Sequence, residues 1–134
     1  MNLEDLERID SHKMYQIYDK WPDIAKQGYE QKFSVPEFKS IDHIVFAGMG
    51  GSGTIGDIIS SILSKNDVHT SVVKGYSLPK TVDSNTLVVV TSVSGQTNET
   101  LTVLRDSLKL DANVITFSSG GKIEEVSLKN KIPF

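Results

Sequence analysis

The chain has no cysteine among its 134 residues. That absence excludes a disulfide-stapled fold and any thiolate metal site, and it suits a reducing compartment. Long apolar runs are missing too: no stretch reaches the roughly 20 residues of a membrane-crossing helix, and the acidic start Asn2-Leu3-Glu4-Asp5 is unlike a signal peptide. Basic blocks are equally scarce. Fourteen Lys and Arg stand against seventeen Asp and Glu, a formal charge of −3, with no cationic run to track a nucleic-acid backbone. The expectation is a cytoplasmic protein with neither membrane nor nucleic acid as a partner. What is present is ordinary globular material, 38% hydrophobic and 23% charged, in a length that suits one domain with its own core.

Leu3, Leu6, Met14, Ile17, Tyr18 and Trp21 recur largely at helical spacing, which predicts one amphipathic helix over about the first twenty residues. Trp21-Pro22-Asp23 ends it, and a short second helix follows to about Gln31. Residues 1–38 are thus expected to be helices that pack on the domain or on a partner, with a linker around Pro36. From residue 39 the pattern alternates. Strands are predicted over Ile41–Ala47, His69–Val73, Thr86–Thr91 and Ala112–Phe117, and helices after the first, third and fourth. Thr86–Thr91 is β-branched and apolar on both faces, as a central strand of a parallel sheet requires. The alternation predicts a three-layer α-β-α sandwich on a doubly wound parallel sheet. Ile132-Pro133-Phe134 opens an apolar segment where a further strand is due, so the domain is expected to be truncated before its last strand.

The centre of this arrangement is Ile44–Asp57, an apolar run followed by Gly48-Met49-Gly50-Gly51-Ser52-Gly53-Thr54-Ile55-Gly56-Asp57. Strand, glycine-rich turn and helix start make a phosphate cradle, because glycines admit a ligand close to the backbone and the first N–H groups of a helix are unpaired. A second loop, Thr91-Ser92-Val93-Ser94-Gly95-Gln96-Thr97-Asn98-Glu99-Thr100, ends another strand, and a third is Ser118-Ser119-Gly120-Gly121. Taken singly, each loop also has a plain reading as a structural turn, with Ser94 or Thr97 capping a helix. At the same end of one sheet, two such loops can surround a single anion with hydroxyls and backbone N–H groups. Neutral donors are then expected to hold it, in place of a metal or a lysine.

Gly48-x-Gly50-x-x-Gly53 also fits the dinucleotide fingerprint, but Lys74-Gly75 stands where a ribose-binding acid is wanted. NAD is disfavoured; NADP, with Lys74 near its extra phosphate, ranks last among the alternatives. A nucleotide P-loop is excluded because Thr54-Ile55, not lysine, follows Gly53. His12, His43 and His69 are scattered, two of them near strand starts, and read as structural or solvated. Glu99, in a helix's first turn, reads as a partner for the helix dipole.

The Gly-Met-Gly-Gly-Ser-Gly loop through Asp57, the run Ser92-x-Ser94-Gly95-x-Thr97-x-Glu99-Thr100 and Ser118-Ser119-Gly120-Gly121-Lys122 together resemble the first sugar isomerase (SIS) domain of bifunctional phosphoglucose/phosphomannose isomerases. The resemblance covers roughly residues 40–134. It implies a flavodoxin-like sandwich, two such domains per parent chain, and homodimers. It also implies that Gly51, Ser52, Ser92, Ser94 and Thr97 hold the phosphate of glucose 6-phosphate, mannose 6-phosphate or fructose 6-phosphate, with no metal and no cofactor. The family's catalytic glutamate and ring-opening histidine correspond to positions beyond residue 134. The expectation is therefore a phosphosugar-binding half that is inactive alone. The alternatives are a non-catalytic SIS module that senses a phosphosugar, and a single-domain SIS isomerase.

Overall fold

A computed structural model describes residues 3–32 and 36–134. They divide into two units, Met1–Val35 and Pro36–Phe134. Among its described residues the first unit has three helices, α1 (Leu3–Ile9), α2 (Met14–Asp19) and α3 (Trp21–Glu30), rather than the two the spacing predicts. The break comes from Asp10. Its carboxylate accepts the Tyr15 N–H at 3.0 Å, so it serves the start of α2 instead of extending α1, and Lys13 turns into the left-handed region at φ 51. Those backbone N–H groups, of Tyr15 first and Met14 next, hold the Asp10 carboxyl below its ordinary pKa. Periodicity misses such a break because the apolar spacing continues across it. The proposed linker around Pro36 lies partly outside the described residues.

The second unit alternates β1 (His43–Ala47), α4 (Gly50–Leu63), β2 (His69–Val73), β3 (Thr86–Thr91), α5 (Asn98–Lys109), β4 (Asn113–Phe117) and α6 (Gly121–Asn130). All four strands are parallel, in the order β2-β1-β3-β4. The order reverses between β1 and β3, so the loops leaving those two neighbours flank a crevice at the carboxyl end of the sheet.

Register divides the side chains between two faces. Val45, Ala47, Val88, Val90 and Val114 point one way and join Leu101, Val103 and Leu104 of α5 and Ile123 of α6 in the main core. Phe46, Val72 and Val89 point the other way. There α4 lies against β1 and β2, brought close because Gly56 sits on Phe46. The β3–β4 half of this second face is open. A trough of about 300 Å³ runs between Phe46, Ile55, Ile59, Val89 and Phe117. At the outer edge of β4 the Thr116 N–H donates to the Pro133 carbonyl at 2.9 Å, so the last residues run alongside that strand.

Candidate phosphate-binding site

Helix α4 begins at Gly50, so most of the glycine cluster expected as a loop forms the helix's first two turns. Its N-cap is Met49, which offers no side-chain acceptor to the first N–H groups. Gly48 ties the turn to both neighbouring strands. Its N–H donates to the Val73 carbonyl at 3.1 Å, and a Cβ there would stand 3.0 Å from the Thr91 carbonyl oxygen and from the Ser52 Cβ. The end of β3 and the first turn of α4 are therefore in contact, with Ser52 half-buried and Gly51 exposed.

The second loop is drawn inward. Ser92 is buried, and its hydroxyl lies 2.9 Å from that of Thr97, while the Gly95 N–H donates to the Ser92 carbonyl at 3.1 Å. Thr97 occupies the N-cap position of α5 without making the side-chain cap expected of it, because its hydroxyl pairs with Ser92. The first N–H groups of α5 thus lack a side-chain cap, like those of α4. Ser94 stays exposed, its hydroxyl 3.3 Å from the Gln96 N–H. So Ser92 and Thr97 are joined directly, Ser52 abuts the end of β3, and Ser94 rims the same loop.

The third loop is a buttress. The Ile123 N–H of α6 donates to the Gly95 carbonyl at 3.1 Å and the Ser119 N–H to the Val93 carbonyl at 3.0 Å, which fixes the second loop from behind. Gly95 makes this possible: its φ is +62 and a Cβ would fall 1.8 Å from the Gly120 oxygen. One free N–H of α6 is consumed in this contact, while α4 and α5 keep theirs.

For two groups named from the sequence the structure adds the partners. Lys74 does not stand apart near a ribose site; its stem crosses Gly53 and its ammonium lies 2.5 Å from Asp57 Oδ2. The signal was its position immediately after a strand at the carboxyl edge. His43 and His69 lie at the opposite end, ring centroids 4.7 Å apart, each with Nε2 directed to the Ser71 hydroxyl at 3.0 and 3.4 Å. Burial, then the neighbouring His69, pushes the His43 pKa down. This pair is remote from the loops.

Residues 37–123 match the family model of the SIS domain. The chain belongs to the SIS domain family. Among curated proteins it is similar to the bifunctional phosphoglucose/phosphomannose isomerases of Caldicellulosiruptor bescii, 34% identical over 87% of this chain and 36% of that protein, and of Thermoplasma acidophilum, 40% identical over 70% and 30%. It is also similar to a D-glucosamine-6-phosphate 4-epimerase of Sulfolobus acidocaldarius, 32% identical over 90% and 38%. Among solved structures, the tagatose-6-phosphate ketose/aldose isomerase of Escherichia coli shares the fold, with a TM-score of 0.56 and 19% identity over 72% of this chain and 29% of that one. The SIS chain described here thus spans about a third of the length of these relatives.

Proposed function

We propose that residues 39–134 are the phosphosugar-binding half of an aldose–ketose isomerase that interconverts glucose 6-phosphate or mannose 6-phosphate with fructose 6-phosphate. The carrying observation is a pair of helix starts without side-chain caps, α4 and α5, at the ends of adjacent strands β1 and β3. Both loops are rich in small donors. Gly51 and Ser52 serve from the first, and Ser92, Ser94 and Thr97 from the second, with no metal or cofactor. Loop N–H groups and hydroxyls meet the phosphate oxygens, and the two helix dipoles favour the negative charge.

Three or four hydrogen bonds to a charged phosphate contribute about 1.5–3 kcal/mol each, and a helix terminus roughly 0.3–1. Association costs of at least about 4 kcal/mol offset much of that. The net affinity is therefore weak, on the order of millimolar, with little preference among sugars. A glutamate and a histidine supplied by the rest of the parent protein would open the ring and move a proton between C2 and C1 through an enediolate. This chain alone then turns over nothing. The parent works in the cytoplasm as a homodimer of chains with two SIS domains each.

The epimerase relative supports a second reading, in which the same phosphate grip serves chemistry at C4 of an amino sugar phosphate. Titration with inorganic phosphate tests what the two readings share. Amide shifts of Gly51, Ser52 and Ser94–Thr97 are expected in wild type and their loss in a Ser94→Ala, Thr97→Ala double variant; unchanged shifts in the variant place the anion elsewhere. Assays of the parent protein with glucose 6-phosphate and glucosamine 6-phosphate separate the two chemistries.

A further inference from the structure

We infer that Lys74 is a charged affinity determinant of this phosphate site and that Asp57 restrains it, so that the pair sets how tightly the loops hold a phosphosugar dianion. The inference rests on the phosphosugar reading above and adds a cation to a site otherwise read from neutral donors.

Lys74 directly follows Val73, whose carbonyl receives the Gly48 N–H, so β2 delivers the lysine to the flank of the glycine turn. Its stem then lies across the first turns of α4: a Cβ at Gly53 would meet Lys74 Cε at 3.0 Å and Cγ at 3.1 Å. Glycine at 53 is what lets the lysine pass so close to the helix start. Asp57, four residues further along the same helix, receives the ammonium at 2.5 Å, and both side chains are about half exposed, 45% and 47%. Along α4 the order is therefore uncapped N–H groups, the lysine's Cε beside the fourth residue, then the ammonium on a carboxylate carried one turn deeper.

That order runs against helix electrostatics. A cation beside the positive end of a helix is repelled by the dipole, and an acid in the second turn is too deep to complement it. A bridge placed only for stability has no need to hold a cation there. With an anion at the helix start the arrangement becomes favourable, because the lysine stem beside Gly53 lets the half-exposed ammonium turn toward it while Asp57 stays one turn deeper. Asp57 meanwhile competes for the lysine and keeps the affinity moderate, which suits a site that must release its product.

The two halves of one ion pair should then act in opposite directions. Titration of the full chain with inorganic phosphate at low salt, read from amide shifts of Gly51, Ser52 and Ser94–Thr97, is expected to show a roughly threefold to tenfold higher Kd for Lys74→Gln and a roughly twofold to fivefold lower Kd for Asp57→Asn. Lys74→Arg should restore binding to near wild type. Lys129→Gln, in the last turn of α6, controls for overall charge and should change nothing. The differences should shrink as salt is added. Weakening by both variants, or no change in either while wild type still binds, would overturn the inference and leave a structural brace. Absence of phosphate shifts in wild type would instead overturn the phosphosugar reading itself.

Discussion

Gly95 carries more of the site's geometry than any side chain that touches it. At φ +62, with a Cβ driven onto the Gly120 oxygen at 1.8 Å, it is where the second and third loops interlock. Gly95→Ala should cost roughly 2 kcal/mol or more, seen as a lowered urea midpoint, because backbone strain adds to steric overlap. A midpoint equal to wild type would show that the loops part easily. His43 contributes to the acid limb of stability. Its pKa in the fold lies below the unfolded value, so the fold favours the neutral imidazole. The contribution is present above about pH 6.5, the unfolded value, and is lost as pH falls from there through the lowered folded value. Urea midpoints between pH 7 and 5 should therefore fall less steeply for His43→Gln than for wild type; parallel curves would assign the acid sensitivity to other groups. At this scale the sequence disclosed residue types but not pairings. Serines and threonines in a strand-end loop announce hydroxyls for an anion, yet nothing in the letters says that Ser92 and Thr97 face each other or that Lys74 reaches back across Gly53.

Strands were legible because β-branched runs between turn residues have few alternatives: β2 and β3 fall where the pattern puts them, and β1 and β4 begin only two residues and one residue later. Helix boundaries were less so. A single carboxylate, Asp10, splits the first predicted helix, and α4 starts inside a glycine cluster whose low helix propensity argued for a loop. Tertiary contact overrides that propensity, since Gly53 and Gly56 are small where Lys74 and Phe46 come close. Helices α5 and α6 hold the loops through the core they share with the sheet. Leu104, completely buried between α5 and the strands, should cost about 2–5 kcal/mol on replacement by alanine. A loss under 1 kcal/mol in chemical denaturation would mean that this face repacks freely.

For the molecule as a whole, the parallel sheet followed from alternation alone, whereas the order β2-β1-β3-β4, which puts the reversal between β1 and β3, needed the structure. Partner identity did not, because the open trough beside Phe117 has a shape but no chemistry that names its cover. Catalysis is expected to need more than this chain. In a coupled assay the purified 134 residues should show no glucose 6-phosphate isomerisation above background, and substantial turnover would require a base among the residues present.

The joint grip of two strand-end loops on one dianion is most directly tested by an amide-resolved titration of the wild-type chain with inorganic phosphate. Gly51 and Ser52 in one loop and Ser94 to Thr97 in the other should move together and fit a single dissociation constant near millimolar. Movement of one loop only, or two constants that differ severalfold, would contradict it.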